Sequence, residues 1–342
     1  MTHYNLALIG FGNVGRAFAR LLERKQAELQ TTYGITCAST AIATGRHGAA
    51  IHPGGIPGAE AAAHVEAGGS LADFSAVPAP TDMFELIRTC GADVLFENTP
   101  VNYETGQPAA AHLEAALRAG MHAITANKGP VVHAYGALRA LAQEQKRKFF
   151  FEGTVMDGAP IFSLFREALP GARLLGFRGV LNSTTNLILT LMEQGKSFDE
   201  AVAYAQQIGI AETDPSGDID GWDAAVKVAA LATVLMDTPF KPQQVDRQGI
   251  RGITPAEMLR AKEAGKRWKL VCSARRTEDG IAGRVAPEMV AVDSPLYGVE
   301  GTTSVVQFET DVLGLLSVVE SDPGKDTTAY ALLADFIHAV QP

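Results

Sequence analysis

A glycine run near the start of the chain restricts the fold more than any other feature. Residues 5–9 form a short apolar segment with strand character, and Gly10-Phe11-Gly12-Asn13-Val14-Gly15 follows without a spacer. From Arg16 to Arg24, Ala17, Phe18, Leu21 and Leu22 recur at helical spacing. A G-x-G-x-x-G motif alone says little. Leaving a strand and opening a helix, it has the context of a dinucleotide-binding turn. The glycines permit a tight turn, and a pyrophosphate can approach the unpaired N–H groups at the helix start. Gly10, Gly12, Asn13, Val14 and Gly15 are the expected cofactor cradle. A plain strand–turn–helix is the competing reading.

The second strand is expected at residues 35–43. Sites that take NAD place Asp or Glu at its end, for the ribose hydroxyls. Here the sequence offers Thr44-Gly45-Arg46-His47. Arg46 can meet a 2′-phosphate, which favours NADP and leaves NAD possible; a solvent-facing loop arginine is the alternative. Residues 48–80, rich in Gly, Ala and Pro, read as a long loop with an Ala-rich helical piece near 59–67. Thr81 is the expected cap of a helix to Cys90. Strands at 92–97, 121–125 and 148–151 alternate with helices at 107–118 and 135–146, the pattern of a parallel sheet with right-handed crossovers. Glu97-Asn98-Thr99-Pro100 and Ala126-Asn127-Lys128-Gly129-Pro130 fall at carboxyl ends of strands, where such sheets bind ligands. Thr99 and Lys128 are candidate cofactor contacts, and Lys128 can also reach a substrate. A surface lysine fits the same position.

Near residue 152 the pattern changes. A helix is expected at 161–169 and a strand at 177–181. Asn182-Ser183-Thr184-Thr185-Asn186 then caps a helix to Glu193, with hydroxyls and N–H groups suited to a carboxylate. Ser197 with Glu200, and Thr254 with Glu257, have capping-box spacing. Strands at 268–275, 281–286, 304–309 and 312–319 and a last helix at 327–340 complete an α+β half. Between these elements lies GIAETDPSGDIDGWDAAVKVAA, residues 209–230, in which Glu212, Asp214, Asp218, Asp220 and Asp223 precede Lys227. Asp223 and Lys227 are four apart and share a helix face. A solvated pair of that kind contributes about 0.3–0.5 kcal/mol and implies no chemistry. A calcium loop fails on spacing. It needs Glu at the twelfth position, and counting from Asp214 that position is Ala225. What remains is a loop and helix start able to hold an ammonium group beside a lysine.

Composition removes other classes. The net charge is −9 and 46% of the 342 residues are hydrophobic, so a basic nucleic-acid footprint is not expected. Cys37, Cys90 and Cys272 are far apart without CxxC spacing, which fits a reducing cytoplasm. The first residues lack the pattern of a secretory leader, and no apolar run is long enough to span a membrane.

GFGNVG, TANKGP around Lys128, LNSTTNLIL at 181–189 and AETDPSGDIDGWDAAVKVAALA at 211–232 together resemble the homoserine dehydrogenase family. The resemblance runs from end to end. It implies a Rossmann dinucleotide-binding domain, residues 1–152 with 320–342, and an α+β substrate and dimerisation domain, residues 153–319. It implies NAD(P)-dependent interconversion of L-homoserine and L-aspartate 4-semialdehyde, in threonine and methionine biosynthesis. Lys128 and Lys227 become the catalytic lysines, and Glu212, Asp218, Asp223 and Thr184 the substrate residues. Glu152, Val155, Asp157 and Ala159 fall where the family binds a monovalent cation, mostly through backbone carbonyls. Met156-Asp157 departs from the small residues usual there. A fused kinase or C-terminal regulatory domain of the kind some members carry is not expected, nor is feedback by end-product amino acids. A homodimer is expected, because the strands near 304–319 need partners. Two other readings stay open: an NADP oxidoreductase of another small amino or hydroxy acid, and a catalytically silent NADP-binding sensor.

Overall fold

Strand β1 (Thr2–Ile9) is the centre of the first unit of the computed structural model, which describes residues 1–321 and 323–341. Asp322 and Pro342, inside the expected C-terminal return, lie outside the described residues. β1 pairs in parallel with β2 (Ile35–Thr44) and with β4 (Val94–Glu97). Leu6 to Ile9 are almost wholly buried, as expected for a strand covered on both faces. With β3 (Gly48–Ile51), β5 (His122–Thr125) and β6 (Phe149–Phe150), the sheet order is β3-β2-β1-β4-β5-β6. The order reverses between β1 and β4, which makes a crevice at their carboxyl ends. β3 lies in the stretch expected to be loop. It is antiparallel to β2 and forms a hairpin with it, and its Gly-Ala-Ala-Ile sequence carries no alternation to announce a strand.

Helices α1 (Asn13–Tyr33), α2 (Gly58–Glu66), α3 (Met83–Thr89), α4 (Ala109–Arg118) and α5 (Lys128–Glu144) accompany this sheet. α1 outlasts its predicted end at Arg24. Its second half is mostly exposed, with Leu29 buried, and Ala, Glu, Gln and Lys prolong the helix after its apolar stripe fades. Asp82, rather than Thr81, caps α3, accepting from the Phe84 N–H at 2.9 Å. α5 begins at Lys128, seven residues before the expected start. Asn127 caps it at the Gly129 N–H (2.9 Å), and Pro130 is tolerated because the first turn needs no donor there. Helix α11 (Lys325–Val340) returns to this unit and packs along α1. Its Leu332 and Phe336 are fully buried in one core with Leu6, Phe18 and Phe96. Asp335 accepts the Glu152 N–H at 2.7 Å. The first unit thus comprises Met1–Pro160 and Gly324–Pro342, and the second Ile161–Pro323.

In the second unit, β7 (Leu174–Val180), β8 (Asp246–Arg247), β9 (Lys266–Thr277), β10 (Gly280–Ala291), β11 (Ser304–Thr310) and β12 (Gly314–Glu320) make a sheet of order β12-β11-β7-β9-β10-β8. Helices α6 (Ser183–Glu193), α7 (Phe198–Gln207), α8 (Ser216–Ile219), α9 (Trp222–Leu235) and α10 (Pro255–Glu263) complete it. Alternation sorts the strands. Phe177, Cys272, Val285, Val306 and Phe308 share the buried face. Arg178, Arg275, Arg284 and Glu309 alternate onto the other, where Arg275 pairs with Glu309 at 2.6 Å and Arg178 with Glu288 at 2.7 Å. The helix expected at 161–169 is present at 162–168, its last five residues, Leu164–Ala168, wound as a π-type turn without a buried side chain. No helix among the described residues is long and apolar enough to cross a membrane.

Candidate active site

The glycine turn of the first unit is shaped by two contacts. Gly10 has φ +87°, and a Cβ there would lie 2.3 Å from the Asn98 carbonyl carbon, so the loop after β4 can close on the turn only because residue 10 is glycine. At Gly15 a Cβ would lie 2.8 Å from the Gly10 carbonyl oxygen. Gly12 faces open space, with none of the described residues within 4 Å of its Cβ position, and no side chain caps the start of α1. An uncapped helix start behind an open approach suits a pyrophosphate. Asn13 accepts from Arg16 Nη2 at 2.8 Å, and Val14 packs on the core. These residues fit the phosphate end of a dinucleotide.

Three further predicted residues border this crevice. Thr99 donates its hydroxyl proton to Glu97 Oε1 at 2.5 Å, and its carbonyl accepts from Asn127 Nδ2 at 2.8 Å. Lys128, half-buried, is the first residue of α5. Arg46 is exposed in the β2–β3 turn, where the Thr44 hydroxyl accepts its backbone N–H at 3.1 Å. A cavity of about 710 Å³ adjoins this turn, lined in part by Thr44, Gly45, Ser75, Pro78 and Met83.

In the second unit the acidic stretch does not act as one cluster. Asp214 is exposed and accepts the Ser216 N–H, and Asp220 is held by Arg251 at 2.5 Å. Glu212 is exposed in the loop after α7. Asp218 and Asp223 turn instead toward α6, where the Asn182 amide donates to both, at 2.7 and 3.0 Å. Burial holds the Asp218 carboxyl above its ordinary 3.8, and the neighbouring Asp223 charge adds to this; hydrogen bonds from Asn182 and Thr184 and the Lys227 charge oppose it. Lys227 donates to the Leu181 carbonyl at 2.6 Å and lies 3.3 Å from Asp223 Oδ2. Its side chain is 14% exposed, so this is a largely buried pair, in contrast to the solvated surface bridge that the spacing also allowed. Thr184 sits within reach of Asp218 and of the Ile210 carbonyl, at 3.4 Å from the latter.

Four predicted residues therefore converge: Thr184, Asp218, Asp223 and Lys227. The residue joining them, Asn182, was legible in sequence only as a helix cap. It still caps α6, its Oδ1 accepting the Thr185 N–H at 2.9 Å, and spends its amide donors on the two aspartates. Gly221, with φ +79°, turns the chain between α8 and α9 and so lets Asp218 and Asp223 meet the same amide.

The predicted cation segment belongs to the first unit. Glu152, Val155 and Ala159 are buried, Asp157 has φ +35°, and its carboxylate accepts the Thr328 hydroxyl at 3.1 Å. Among the described residues no group of three His, Cys, Asp or Glu side chains could hold a metal ion.

Comparison with known proteins agrees with both units. Residues 160–337 match the family model described as homoserine dehydrogenase, and residues 10–152 match its NAD-binding domain. The chain is 36% identical over its whole length to the NAD(+)-dependent homoserine dehydrogenase of Pseudomonas canavaninivorans, covering 97% of that protein. It is 36% identical over 98% of both chains to homoserine dehydrogenase of Methanocaldococcus jannaschii. A hyperthermophilic archaeal homoserine dehydrogenase solved with NADPH superposes with a TM-score of 0.82, at 30% identity over 99% of this chain and 98% of the other. The enzyme from Thiobacillus denitrificans gives 0.83, at 29% identity over 99% and 73%. With a glycine turn open to a dinucleotide, a lysine held among aspartates and both family models matched in order, the chain belongs to the homoserine dehydrogenase family.

Proposed function

We propose that Lys227 and Lys128 are the catalytic lysines of the family reaction, the NAD(P)-dependent interconversion of L-homoserine and L-aspartate 4-semialdehyde. The observation that carries this reading is the Lys227 ammonium, fixed between the Leu181 carbonyl and Asp223 with a third N–H left to direct. The nicotinamide, when bound, exchanges a hydride with the substrate's terminal carbon. In the reducing direction Lys227 gives a proton to the aldehyde oxygen. In the oxidising direction the neutral Lys227 amine takes that proton back from the hydroxyl along the same path. Asp218, Asp223 and Glu212 attract the substrate ammonium, and Thr184 with the start of α6 meets its carboxylate.

Arg46 and the absence of an acidic residue after β2 support a preference for NADP, with NAD usable. Buried backbone around Glu152, Val155, Asp157 and Ala159 supports a monovalent cation held mostly by carbonyl oxygens. We assign the first unit to dinucleotide binding and the second to substrate binding and dimerisation, in a cytoplasmic homodimer; the compact units divide at 160/161 and 323/324, a few residues beyond the expected 152/153 and 319/320. The test is Lys227→Met. It should lower kcat by roughly 10²–10⁴-fold with little change in cofactor affinity, the usual weight of a general acid–base group. Melting curves run alongside separate lost chemistry from lost fold. A folded variant with near-normal turnover would refute the assignment.

A further inference from the structure

Glu97 is fully buried at the end of β4, in the middle of the nucleotide sheet. Burying a carboxylate is expensive, and an apolar residue would serve packing better. Its environment shows what it does. Oε1 accepts the Thr99 hydroxyl proton at 2.5 Å and lies 3.3 Å from His112 Nδ1. Oε2 has no hydrogen-bond partner among the described residues. His112, on α4 and 4% exposed, packs its ring against Phe84 at 5.4 Å. Helix and strand thus grip one carboxylate whose remaining contact is to the loop 98–100. That loop rests against Gly10 on one side and is tied to Asn127 on the other. It lies at the crevice where the sheet order reverses.

A hydroxyl has one proton and two lone pairs. With its proton committed to Glu97, Thr99 Oγ1 can act toward the crevice only as an acceptor. We propose that Glu97, steadied by His112, is a positioning residue that turns the Thr99 hydroxyl into a fixed acceptor for an amide N–H of the nicotinamide carboxamide. The inference rests on the dehydrogenase reading, and it goes further by naming the cofactor group recognised.

The test compares calorimetric binding of oxidised NADP with that of its 3-acetylpyridine analogue, in which a methyl ketone replaces the carboxamide and the N–H is lost. The wild-type protein should bind NADP about tenfold more tightly than the analogue, the weight of one well-placed hydrogen bond. In Thr99→Val the ratio should fall close to one, and Thr99→Ser should restore it. Glu97→Leu, which leaves the hydroxyl present but unaimed, should also bring the ratio toward one. A wild-type ratio near one, or an unchanged ratio in folded Thr99→Val, would overturn the proposal. Thr99→Val and Thr99→Ser decide the matter even if Glu97→Leu fails to fold. Homoserine turnover is measured separately. A protein that shows the binding ratio but does not oxidise homoserine removes the activity reading alone, and one that turns over homoserine without the ratio removes only this inference.

Discussion

Within the acidic stretch, Asp218 holds its charge at a cost. Its folded-state pKa is raised above 3.8, first by burial and then by Asp223. The folded chain therefore binds the Asp218 proton more tightly than the unfolded chain does. Its contribution to stability is favourable at low pH and is lost as pH rises through the raised value. Ionising the carboxylate strains the ligand-free fold, and a substrate ammonium relieves it. Asp218→Asn should accordingly melt a few degrees higher at pH 7, a shift typical of about 1 kcal/mol, while its KM for homoserine rises at least roughly tenfold. A lower melting temperature, or an unchanged KM, would contradict this account. The residue types of the site were readable in advance because Asp, Lys and Thr in an ordered motif are unusual together. The role of Asn182 was not, because a capping asparagine looks the same whether its amide is spent on two aspartates or on water. Nor could spacing tell which of five acids converge, since Asp220 is drawn off by Arg251, distant in sequence.

At the scale of elements, local signals were reliable where they act locally. Both capping boxes form: Ser197 with Glu200, and Thr254 with Glu257, whose carboxylate accepts the Thr254 N–H at 2.7 Å. Thr254→Ala should cost about 1 kcal/mol of stability and leave turnover unchanged. Chemical denaturation measures this directly, and an unshifted midpoint would mean that α10 is held by packing alone. Signals failed where tertiary context decides. β3 is a strand only because β2 offers it an edge, and α5 starts early because Asn127 is free to cap it.

For the whole molecule, alternation of strand and helix was sufficient to predict a parallel sheet followed by an α+β unit. The face of the second sheet that carries Arg178, Arg275 and Arg284 has no such signature, because ion pairs satisfy it without a helix. Beside it β12 leaves Leu315 and Val319 exposed on an edge strand. Such an edge invites pairing with a second copy. Light scattering should give twice the chain mass at micromolar concentration, and a monomer would remove the dimer from the proposal.

The return of α11 has a consequence for how the protein is made. Synthesis runs from the amino end, and domains usually fold as they emerge. Here the core around Leu6, Phe18 and Phe96 needs Leu332 and Phe336, which the ribosome adds after every residue of the second unit. Until α11 emerges, the α1 face that it covers has no partner from the rest of the core. The core of the first unit can therefore be completed only after residues 161–323 have been synthesised.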